Sequence, residues 1–197
     1  MRFAALVLAC LWPCALWSQS QTTHQFYVDL HSVSTVGLAE EGSSETTPHS
    51  LNKFGITCGN EFTLRGPLRL ALEFYYYDNK LVVAEEGDDR FELHQCLGAN
   101  LKPGLSYGTF KTFAIAGINA VYLFDKNERS GSQVDRFDES LFWGVEQQCQ
   151  VTKNLRVSLG VVHSKFERSS FYTSSTLEHF RIFKLGLGCT IDASKDP

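Results

Sequence analysis

The residues with chemical potential are few and scattered along the chain. Asp29, Glu73, Glu92 and Glu146 could serve as paired carboxylates, with His31 or His94 as a base. His163-Ser164 is the candidate pair of base and hydroxyl, and Glu85, Glu86, Asp88 and Asp89 form an acidic run that could attract a divalent cation. Each meets an objection. If residues 163 and 164 lie on a strand they point to opposite faces, so the imidazole cannot activate the hydroxyl. The acidic run lacks the glycine-spaced ligand pattern of a dedicated calcium loop. No catalytic group, cofactor or metal centre is therefore expected, and the role of the charges has to come from the elements that carry them.

The chain has 197 residues, enough for one domain. It is 43% hydrophobic and 13% aromatic, with 15 Phe and 7 Tyr, so it can bury enough apolar surface to fold. The formal charge of −4 leaves no broad basic footprint, which argues against nucleic acid. At the N-terminus Arg2 precedes the apolar run FAALVLACLWPCALW and then Ser18, Gln19 and Ser20, the pattern of an export signal. That run is shorter than the roughly 20 residues of a spanning helix and is interrupted by Pro13. Residues 1–20 are expected to be cleaved, leaving a domain over 21–191 and a short tail, 192–197. The tail is too short to form a peptidoglycan-binding domain.

Beyond the signal the dominant pattern is alternation with period two, the mark of strands with one apolar face. Eight such stretches are predicted. Phe26, Val28 and Leu30 define the first; Phe54 to Leu64 and Leu68 to Tyr76 the second and third; Phe91 to Leu101 the fourth. Phe137 to Val151, Leu155 to Val161 and Phe183 to Ile191 are the sixth, seventh and eighth. The fifth, Phe110 to Phe124, is the least regular, with Phe113, Ile115 and Val121 falling on the face of Lys111, Gly117 and Asn119. Segments between strands alternate in length. Those at Arg65-Gly66-Pro67, Pro103-Gly104 and Thr152-Lys153-Asn154 are short, and those after strands one, three, five and seven are long. Pro48, Pro67 and Pro103 are all expected outside strands, where no ladder donor is lost.

An all-β meander of eight antiparallel strands closes into an up-and-down barrel, which removes both exposed edges. With the apolar face outward it is a transmembrane barrel; with that face inward it is a secreted soluble barrel of the lipocalin kind, binding a small apolar ligand. Three features favour lipid. The opposite face interleaves Gly and Ser with Asp29, Lys53, Glu61, Arg69, Glu73, Glu92, His94, Lys111, Glu146, Arg156 and Lys184, which suits the narrow bore of an eight-stranded barrel. Phe26, Phe62 and Phe110 fall near one end of the strands and Tyr76, Tyr122, Phe124, Phe137 and Phe166 near the other, like two interfacial girdles. Short turns on one side and long loops on the other complete the pattern. The inward charges are then a mutually paired network that plugs the bore. Cys58, Cys96, Cys149 and Cys189 sit one on each even-numbered strand, with Cys96 alone facing inward. An intervening strand holds them about 10 Å apart, beyond disulfide reach, so four free thiols are expected.

The signal, the eight strands, the alternating loop lengths and the closing segment FRIFKLGLGCTI resemble the small outer-membrane β-barrel family, the group of outer membrane protein A barrels and opacity-type surface proteins. Chains of that family end on an aromatic residue, whereas here Ile191 is followed by Asp-Ala-Ser-Lys-Asp-Pro. The resemblance implies a non-enzymatic monomer in outer-membrane lipid, with a role in envelope integrity or adhesin-like and antigen-type contact. The long loops are polar and acidic, with Glu40, Glu41 and Glu45 in the first and Glu85, Glu86, Asp88 and Asp89 in the second. Their expected partner is a basic surface on a host or neighbouring cell.

Overall fold

The computed structural model describes residues 23–38, 49–86, 89–127, 132–166 and 179–192. Eight strands follow in chain order: β1 (His24–Leu38), β2 (His49–Thr63), β3 (Leu68–Glu86), β4 (Asp89–Tyr107), β5 (Phe110–Asn127), β6 (Ser132–Gln150), β7 (Leu155–Phe166) and β8 (His179–Asp192). Each pairs antiparallel with its neighbour, and β1 closes on β8 from Gln25↔Asp192 to Leu38↔His179. The expected signal, residues 1–20, lies outside the described residues, as does the tail beyond Asp192.

Burial settles which face is inside. Leu30 is 53% exposed, Phe74 62%, Leu141 62% and Leu185 57%, whereas Lys102 is 0% and Arg156 1% exposed. Apolar side chains form the outer wall and charges lie in the bore, so a soluble barrel with an apolar pocket is set aside. Among the described residues no helix is long and apolar enough to cross a membrane; strands of 12 to 19 residues exceed the roughly 9–11 needed to cross. Phe26, Phe110 and the half-buried Phe62 ring the short-turn end as expected, joined by Tyr107. At the other end Tyr76 and Tyr122 are half-buried, and the side chains of Phe124, Phe137 and Phe166 lie outside the described residues.

The ambiguous fifth strand has an unbroken register against β6, from Phe110↔Cys149 to Asn127↔Ser132. It buries Phe113, Ile115 and Val121 inside, on the face shared with Asn119. Ile115 and Val121 join an apolar cluster in the outer half of the bore, whereas Phe113 packs with Tyr27 and Ala71 beside the ionic layers, 5.4 Å from Lys102 Nζ. Val33, Tyr75, Tyr77, Cys96, Phe142, Val162, Phe180 and Ile182 form one buried cluster with Ile115 and Val121.

Two expectations about connections are corrected. Pro103 is not in a turn but inside β4, paired as Leu70↔Pro103; the turn comes later, at Gly108-Thr109, where Gly108 has φ 60°. The β4–β5 ladder skips from Leu101↔Ala116 to Gly104↔Phe113, a break that fits a residue with no N–H. The segments after β3 and β5 are also not long loops. Glu85↔Arg90 and Glu86↔Asp89 carry the β3–β4 hairpin to Gly87-Asp88, and Lys126↔Gln133 and Asn127↔Ser132 carry β5–β6 almost as far. Charge does not prevent pairing beyond the lipid, where both faces of a hairpin can be solvated. As a result β3 to β6 continue as a four-stranded sheet past Tyr77, where described pairing to β2 stops, and past Ser140, where described pairing to β7 stops.

Candidate functional site

The bore toward the short turns is filled by ion pairs. Asp29 on β1 accepts two hydrogen bonds from Arg156 on β7, Nε to Oδ1 at 2.8 Å and Nη2 to Oδ2 at 2.5 Å. The Arg156 guanidinium lies 3.7 Å from the Tyr27 ring centroid and donates to Gln148 at 3.3 Å. Glu61 accepts from Lys111 at 2.6 Å and has Arg69 at 3.8 Å and Arg156 at 3.9 Å. Above this layer two carboxylates and two ammonium groups alternate. Lys102 bridges Glu73 at 2.8 Å and Glu146 at 2.6 Å; Lys184 pairs closely with Glu146 and lies 3.7 Å from Glu73. Tyr27 and Asn100 each donate to Glu73 at 3.1 Å, and Gln148 donates to Glu146 at 2.6 Å.

Such pairing is what allows charges to be buried at all. An ion removed from water costs several kcal/mol, recovered only when opposite charge and hydrogen bonds surround it. Glycine makes the geometry possible: a Cβ on Gly188 would coincide with Asp29 Oδ1, and one on Gly98 would collide with the Tyr75 hydroxyl. Over the ionic layers, Tyr75 stacks on Phe142 with ring centroids 4.9 Å apart and on Tyr77 at 4.8 Å. Between the two regions His31 Nε2 shares a 3.1 Å hydrogen bond with Thr57.

Of the inward charges expected from alternation, Asp29, Glu61, Arg69, Glu73, Lys111, Glu146, Arg156 and Lys184 meet in these layers. Lys53 stands apart, half-buried on the inward face nearer the outer end, paired in register with Val33. The side chains of Glu92 and His94 lie outside the described residues. Sequence reasoning missed Lys102, which bridges both central carboxylates; reading Pro103-Gly104 as a turn ended the fourth strand at Leu101, six residues short of Tyr107. Continued alternation from Gly98 through Asn100 would have placed it.

His163 and Ser164 diverge, the imidazole outward against Trp143 and the hydroxyl inward, 2.7 Å from Ser140 Oγ and in a cluster with Asn119. Among the described residues no group of three or more His, Cys, Asp or Glu could hold a metal. Glu40, Glu41, Glu45 and Asp88 lie outside the described residues; Glu85, Glu86 and Asp89, expected in a loop, belong instead to the paired strand ends. The four cysteines among the described residues are free, with Cys96 buried in the bore and Cys189 exposed on the outer wall.

A closed eight-stranded meander with an apolar outer wall and a bore sealed by ion pairs defines a transmembrane β-barrel of the outer-membrane type. No family model matches the chain, and no curated protein matches it in sequence. Solved structures do share its fold. It is similar to Ail, the attachment invasion locus protein of Yersinia pestis, with a TM-score of 0.61 at 11% identity over 86% of this chain and 99% of that one. It is also similar to a major outer membrane protein of Thermus thermophilus, TM-score 0.52 at 10% identity over 85% and 99% of the two chains. Neisserial surface protein A gives 0.50 at 18% identity over 85% and 96%.

Proposed function

We propose that the chain is a non-enzymatic surface protein of a diderm bacterium's outer membrane, meeting a cationic surface on a host or neighbouring cell through the end opposite the short turns. In this reading residues 1–20 are a cleaved signal, the barrel stands as a monomer, and the scaffold serves presentation. The observation that carries it is the sheet that β3 to β6 extend beyond the closed barrel, with acidic Glu85, Glu86 and Asp89 near the tip of one hairpin. Rigid scaffolds place contact residues at such projecting ends. The filled bore supports the same reading, since an eight-stranded barrel packed with side chains leaves no aqueous path for solutes. Ail, named for attachment and invasion, has been crystallised with the heparin analogue sucrose octasulfate, a polyanion. The acidic tip of the present chain favours the opposite ligand charge.

The test has two parts. Expressed in a diderm host, the protein should fractionate with the outer membrane and change gel mobility on boiling. The detergent-solubilised barrel should then retain basic surface proteins from an array, with binding that weakens as salt rises and is lost in a Glu85→Lys/Glu86→Lys variant. Binding indifferent to both salt and charge reversal would sink the contact reading.

A further inference from the structure

Three outward side chains form a row across β6, β7 and β8; on β7 and β8 the outward apolar run ends there, and on β6 Leu141 carries it one step further. Trp143 pairs with His163, and His163 pairs with Arg181. Trp143 is 42% exposed and its ring centroid is 4.4 Å from that of His163; Arg181 is exposed. The flanking positions Phe142, Val162, Phe180 and Ile182 occupy the bore, so the row has no interior to turn into. Toward the short turns β8 presents Phe183, Leu185 and Leu187 to the outside. In the other direction Lys165 pairs with His179. Among the described side chains of β6 to β8, the acidic one on the outer wall is Glu139, four positions along β6 from Trp143 and paired with Ala120 on the far side.

A cation on the lipid face costs about 2–4 kcal/mol at the midplane and about 0–1 near the interface. Arg181 therefore belongs at headgroup level, where an indole also settles. At that level a guanidinium meets phosphate, which it can bind with two parallel hydrogen bonds, beside the paired rings of Trp143 and His163. We propose that the Trp143, His163 and Arg181 row seats the phosphate of a lipid headgroup in the leaflet at the outer end of the barrel. The proposal rests on the outward face lying in lipid, and commits to a membrane phospholipid or phosphorylated glycolipid rather than a free anion.

The full chain, with Trp12 and Trp17 replaced by Phe so that Trp143 is the single indole, is reconstituted in vesicles of phosphatidylcholine alone and in vesicles that also contain phosphatidate. Phosphatidate should shift Trp143 emission and raise the temperature at which the barrel unfolds. Arg181→Glu should lose both responses and Arg181→Lys keep part of them. Lys153→Glu, in the short turn at the opposite end, should keep both. An undiminished response in Arg181→Glu, an equal loss in Lys153→Glu, or full reproduction of the response by inorganic phosphate in phosphatidylcholine vesicles would each overturn the proposal. A chain that inserts into neither vesicle overturns the membrane reading itself, and the proposal with it.

Discussion

Asp29 and Arg156, 127 residues apart in the chain, are joined by two hydrogen bonds at the base of the bore, 2.8 and 2.5 Å long. They lie on β1 and β7, which are not neighbours; β8 separates them, and its Gly188 supplies the space in which the carboxylate sits. The pair therefore exists only when the barrel is closed, and its integrity reports closure.

Arg156→Met should lower stability by about 3–5 kcal/mol, because it leaves Asp29 charged, buried and without its main partner. Urea unfolding in detergent, followed by the unboiled gel shift, measures this. Asp29→Leu/Arg156→Met should recover much of the loss, since removing both charges removes the unpaired one. A double variant as unstable as the single one would argue against the pair.

Gly188→Ala adds a methyl group where Asp29 Oδ1 already stands and should cost about 1–3 kcal/mol. In an Asp29→Ala background the same change should cost far less. Equal costs in both backgrounds would mean that the glycine serves the backbone and not the ion pair.

Phe142→Ala removes a fully buried ring stacked on Tyr75 and should cost about 3–5 kcal/mol. Planar bilayers containing this variant should still carry no porin-like current, because the layer of Glu73, Lys102, Glu146 and Lys184 closes the bore beneath it. Steady conductance from this single substitution would show that the ionic layer does not seal.

Thiol labelling reports the two faces. In the folded barrel a water-soluble maleimide should leave Cys96 unmodified, and in denaturant it should reach all four of Cys58, Cys96, Cys149 and Cys189. A lipid-soluble maleimide should label Cys189 first, as the exposed thiol of the outer wall. Prompt labelling of Cys96 in the folded state would contradict a packed bore.

Much of the architecture was legible in the chain because strand alternation is local. Cys58 and Cys189 against Cys96, and Leu159 against Arg156, could be sorted outward and inward from parity alone. Local signals misled where a strong one sat inside a larger element. Pro103-Gly104 reads as a turn, yet the proline is accommodated at a break in one ladder while the other continues. The string from Ala84 to Asp89 reads as a loop because it is acidic, yet Leu81, Val82 and Val83 before it extend the hairpin, and pairing with β4 carries the acidic residues along.

By itself the sequence determined eight strands and their order, and for all but the fifth a clear apolar and a clear polar face, because side-chain direction in a strand depends only on parity. The tertiary structure alone decided which inward residues share a level. That depends on the register of all eight ladders and on closure of β1 against β8, which together bring Glu73, Lys102, Glu146 and Lys184 into one layer and the aromatic rings of Tyr75, Tyr77 and Phe142 into another. Parity carries no information about height along the barrel axis, so the division of the bore into an ionic part and an apolar part could arise only from the folded arrangement.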